Sequence, residues 1–129
     1  MNLFFTDPDD APVPPEEVRI RAFRAEAYPD GKRIRINLEV SPFQERPYSE
    51  IVILNADGKE VAMANIIEPM SNQIEITLHL RSQDTSGTYT AKATLSFARE
   101  IEEERRGDDV IVRPEYYLVD SAETTFEIR

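Results

Sequence analysis

The chain has 129 residues, enough for one domain with its own hydrophobic core, and contains no cysteine, which excludes disulfide staples and thiolate chemistry. Its 25 acidic and 15 basic residues give a formal net charge of −10, which argues against non-specific attraction to nucleic acid or to an anionic membrane surface. Neither a basic leader segment followed by a long apolar stretch nor an apolar run of membrane-spanning length occurs, so the expectation is a cytoplasmic protein whose partners are neither nucleic acid nor membrane.

Residues 1–15 hold Pro8, Pro12, Pro14 and Pro15 among Asp7, Asp9 and Asp10, which reads as an extended arm preceding a single domain over 16–129. Leu3, Phe4 and Phe5 could tuck that arm against the body or a partner, or fray. Alternation begins at Val18 and Ile20 and resumes in the opposite phase at Phe23, Ala25 and Ala27, which predicts a bulge near Ala22. Tyr28-Pro29-Asp30-Gly31 has the chemistry of a turn. A regular strand follows, with Ile34, Ile36, Leu38 and Val40 on one face and Arg33, Arg35, Asn37 and Glu39 on the other. The implied register puts Glu26 opposite Arg35 and Arg21 near Glu39, as cross-strand ion pairs.

After a loop barred from the ladder by Pro42 and Pro47, Tyr48 to Leu54 forms a third strand, and Asp57-Gly58 turns it into a fourth near Lys59 to Ile66. Ile74, Ile76, Leu78 and Leu80 mark a fifth. The central strand starts at Gly87-Thr88-Tyr89, with an inward set of Tyr89, Ala91, Ala93, Leu95 and Phe97, and the Tyr89 hydroxyl is expected to bond to backbone near the Asp84 turn. Residues 98–104 combine good helix propensity with alignment to this strand; a continuing strand is favoured. With Gly107 at a hairpin tip, Ile101 faces Val112, Phe97 faces Tyr116 and Leu95 faces Leu118. The last strand then runs on through Ala122, Thr124, Phe126 and Ile128, with Asp120 alone out of character.

About seven strands with closely spaced turns predict an all-β, immunoglobulin-like antiparallel sandwich of two sheets with a long C-terminal hairpin. Asp57-Gly58-Lys59 after an Ile-rich strand, followed by Gly87-Thr88-Tyr89 opening the central strand, resembles the pattern of fibronectin type III and macroglobulin-type domains over roughly residues 16–97. The resemblance implies a sandwich with a binding or spacer role. The absence of a cysteine pair and of tryptophan departs from true immunoglobulin domains, and no functional residue carries over.

No catalytic constellation is legible. His79 is the single histidine and sits on an outer strand face, short of a metal cage; Glu102, Glu103, Glu104, Asp108 and Asp109 crowd a tip where they stay hydrated. No enzyme activity, metal site or cofactor is expected. Arg106-Gly107-Asp108 spells an adhesion tripeptide but is also ordinary turn chemistry. The expected function is a protein-interaction or assembly module acting through a sheet face, its partner another protein or a second copy. A small-ligand or glycan-binding role at the loop ends, with Tyr28, Phe43 and Tyr48 as exposed aromatics, is the alternative. The face is placed on the sheet of the central strand, at Val52, Leu54, Tyr117 and Val119.

Overall fold

A computed structural model describes residues 11–67, 69–81 and 86–129, the side chains of 102–106 and 111 excepted. Seven strands form it: β1 (Ile20–Ala27), β2 (Arg33–Val40), β3 (Tyr48–Leu54), β4 (Glu60–Ile67), β5 (Gln73–His79), β6 (Gly87–Arg106) and β7 (Asp109–Ile128). They make two antiparallel sheets, one of three strands in the order β1-β2-β5 and one of four in the order β4-β3-β6-β7.

Alternation decides which faces meet. Ile34, Ile36, Leu38 and Val40 from β2, Ile51 and Ile53 from β3, and Tyr89, Ala91, Ala93, Leu95 and Phe97 from β6 are all buried in one cluster between the sheets. The Tyr89 ring stacks on Phe126 with centroids 5.5 Å apart, coupling the two long strands inside the core. Asp84 lies outside the described residues, and with it the expected hydroxyl bond at that turn.

The expected turns carry the chain between strands. Gly31 and Gly58 adopt φ of 67° and 81°, a region that side chains with a Cβ rarely enter, and each donates its N–H across its turn, to Tyr28 and Asn55 respectively. The bulge expected near Ala22 is present: Ile20 pairs with Val40 and Ala22 with Glu39, so Arg21 is the extra residue. Glu26 stands opposite Arg35, yet the guanidinium of Arg35 reaches Glu75 on the other neighbouring strand at 3.3 Å. Of the arm, Val13 makes a parallel bridge to Phe43, and a short 3-10 turn at Pro15–Glu17 leads into Val18, which is fully buried.

The C-terminal hairpin corrects the expected register. β6 is strand to Arg106, and Gly107 and Asp108 form the tip, but Phe97 pairs with Tyr117, Leu95 with Asp120 and Ile101 with Arg113. Two register shifts, between Leu95 and Ser96 and between Glu102 and Glu104, are responsible. Between them the pairing is one residue away from the expected one, and a slip of one residue turns each side chain to the other face. Past the shift at Leu95, toward Gly87, the difference becomes even, so Phe126 and Ile128 are buried as expected.

Candidate functional site

The slip decides what the outer face of the four-stranded sheet presents. Tyr117 and Val119, expected to project outward, pack against the core cluster instead. Tyr117 sits 6.3 Å from the Phe97 ring, and the Arg99 guanidinium lies 5.1 Å from its centre. Val52 and Leu54 are half-buried on the expected face, beside Lys92 and Thr90 of β6. The structure therefore does not bring the four residues Val52, Leu54, Tyr117 and Val119 to one surface.

Their neighbours take the place of the two that turn inward. Along β7 every second residue from Val110 to Leu118 faces outward: Val110 (42% exposed), Val112 (50%), Pro114, Tyr116 (58%) and Leu118 (63%). An outward row on a half-buried sheet is normally polar, so five apolar members in succession need an explanation. The row follows β7 off the sandwich. β3 pairs with β6 only from Thr90 to Ser96, so residues 98–106 and 109–116 form a ribbon of two strands that continues past the other sheet members. Arg99 and Glu115 pair across it at 3.7 Å, both well exposed.

Where the ribbon leaves the body, the row meets β3 and β4. Tyr116 and Tyr48 make an edge-on contact with centroids 5.2 Å apart, and both line a shallow cleft of about 390 Å³ with Glu50, Asn65, Ile67 and Thr94. Ile67 is 66% exposed, extending the apolar surface to the sheet edge.

The opposite sheet offers polar chemistry. Tyr28 bonds Thr77 through its hydroxyl at 3.1 Å and lies beneath the guanidinium groups of Arg33 and Arg35, at 4.4 and 5.2 Å from the ring centre. The Thr77 bond, and after it Arg35, hold the phenol below its ordinary pKa, and the same contact with Tyr28 raises that of Arg35. Asp30 accepts from the Lys32 N–H at 2.9 Å and pairs with Arg33, and its carboxyl is held below the usual range chiefly by that backbone N–H. These arginines are engaged with acids and with Tyr28, which makes the cluster a surface brace.

His79 is exposed opposite Arg33, and among the described residues no group of three His, Asp or Glu is placed to hold a metal. Asp108 and Asp109 are exposed at the tip. Asp120 proves to be no anomaly. Its Oδ2 accepts the Ile20 N–H at 2.8 Å, so a carboxylate on the last strand satisfies a donor that the β1 bulge leaves without a ladder partner.

No family profile matches the chain, and no curated protein matches its sequence. Solved structures do. The β-glucuronidase of Bifidobacterium dentium superposes with a TM-score of 0.53 at 17% identity, over 89% of this chain and 18% of that one. A glycosyl hydrolase family 2 member from Bacteroides cellulosilyticus gives 0.49 at 12% identity, over 87% of this chain and 15% of that one. The likeness is one of fold. The chain spans less than a fifth of the length of either enzyme, and what it shares with the Bifidobacterium protein is a β-sandwich.

Proposed function

We propose that this chain is a non-catalytic protein-interaction module of fibronectin type III-like build, acting through the outer face of its β4-β3-β6-β7 sheet. The exposed apolar row from Val110 to Leu118 carries the reading. A ribbon of two strands is marginal in water without a covered face, and this one exposes hydrocarbon at each outward position of β7. The order β1-β2-β5 over β4-β3-β6-β7 supports the type III reading. Tyr116→Lys with Leu118→Lys tests it. A surface kept for a partner leaves urea unfolding within about 0.5 kcal/mol of wild type while association is lost. A loss of about 2 kcal/mol or more makes the row part of the chain's own core and removes the reading.

The cleft at Tyr48 and Tyr116 supports a second reading, a glycan-binding accessory domain, since two tyrosines beside Asn65 and Thr94 offer a sugar both an apolar face and polar partners. Glu50 in the same lining disfavours an anionic sugar. Titration with neutral oligosaccharides and with glucuronate, followed by shifts of the two tyrosine ring signals, decides it; silence with both ends the glycan reading.

A further inference from the structure

We infer that the partner of the β7 row is a second copy of this chain, the two overhanging ribbons stacked face to face and antiparallel about a two-fold axis at Pro114. The inference rests on the reading of that row as an association surface and adds the identity of the occupant. Three observations support it.

The first is the order of the row. Two bulky residues, Leu118 and Tyr116, lie on one side of Pro114 in the row and two smaller ones, Val112 and Val110, on the other. Antiparallel stacking therefore sets Leu118 over Val110 and Tyr116 over Val112, a bulky residue over a small one at each level, as interdigitating layers require. The proline also selects a face over an edge. Pro114 cannot donate to a ladder, and it stands in an edge strand between the charged Arg113 and Glu115, the pattern that deters strand addition.

The second is area. The exposed fractions of these side chains correspond to about 450 Å² of apolar surface per copy, or about 900 Å² in the pair, close beneath the roughly 1,000 Å² of a durable interface. A weak, concentration-dependent dimer follows.

The third is charge. Each copy carries −10, so stacking body on body would set two acidic surfaces within a Debye length of about 8 Å. Antiparallel overlap of the ribbons places the bodies at opposite ends of an overhang of about 30 Å, at about 3.3 Å per residue. Like charges still meet among the described residues: Glu100, opposite Pro114, meets its own copy near the axis, and the exposed Asp108 and Asp109 at each tip reach the other copy's body.

Sedimentation of the full chain from about 1 µM to about 1 mM tests the inference, with dissociation expected near 10⁻⁵ to 10⁻⁴ M for so small an interface. Tyr116→Lys should weaken association by about tenfold or more, as loss of a buried aromatic anchor does. Glu100→Gln should tighten it, and Gln73→Lys, on the exposed face of the three-stranded sheet, should leave it unchanged. Because the chain has no cysteine, geometry is read with single thiols and a bis-maleimide spanning about 10 Å, the separation of stacked sheets. Pro114→Cys should cross-link to itself. Val110→Cys should not, but should cross-link to Leu118→Cys in a mixture. A wild type that stays monomeric throughout, or a Pro114→Cys protein that cross-links no faster than Gln73→Cys, overturns the inference. If the chain is monomeric while Tyr116→Lys with Leu118→Lys unfolds like wild type, the second copy alone is refuted; if that variant is also destabilised, the association surface falls with it.

Discussion

Strand β6 is two environments in one element. From Tyr89 to Phe97 its inward residues are all buried, between β3 on one side and β7 on the other. From Ala98 onward it keeps the same backbone and a single partner, and the inward positions pass from aliphatic and aromatic side chains to Arg99 and the half-buried Ile101. Backbone pairing continues where packing stops. A hydrogen-bonded ladder can thus be extended past a core, but what stabilises the body is burial, and the extension is free to serve something else.

That contrast can be broken at the core first. Leu95→Ala removes a fully buried side chain facing the other sheet and should cost about 2–5 kcal/mol in urea unfolding. A loss under about 1 kcal/mol would mean that the inner face is far looser than its burial implies. The junction comes next. Asp120→Ala leaves the Ile20 N–H without its acceptor and should cost about 1–3 kcal/mol, while Asp120→Asn, which keeps a carbonyl oxygen, should cost less. Equal losses from both would point to charge and not to the hydrogen bond. The smallest effect belongs to the ribbon. Glu115→Ala breaks an exposed pair with Arg99 and should change global stability by about 0.2–1 kcal/mol. Its sharper readout is hydrogen exchange: amides of 99–113 should open well before those of 89–97, and uniform protection along β6 would erase the distinction between its halves.

Much of this was readable in the residues. In β2 the four inward aliphatics alternate without interruption with Arg33, Arg35, Asn37 and Glu39, so only one phase buries hydrocarbon, and all four are in the core. Asp57-Gly58 marked its turn because the positive φ at Gly58 is one that glycine enters at little cost. The surface row was not readable, for a reason local to β7. Tyr116, Tyr117, Leu118 and Val119 are four apolar residues in succession, so either phase satisfies alternation, and the register had to be counted from the tip. The shifts that make such a count fail lie among Glu102, Glu103 and Glu104 and at Val119, with no glycine or proline to announce them. One signal was present. An acid in an otherwise inward row, Asp120, is the kind of residue that meets an unpaired backbone donor, and β-bulges leave such donors.

The clasp between Asp120 and Ile20 also bears on mechanics. β1 begins beside Val40, at the end where the hairpin departs, and β7 finishes opposite Gly87 at the other end, so the two strands run the same way along the body. Traction applied at the two ends of the described chain therefore slides β1 along β7 and does not unzip either from its neighbour. The carboxylate bond joins the two strands that would slide, so Asp120→Ala should yield at lower force than wild type in single-molecule extension, and an unchanged force would show that the bond bears no load.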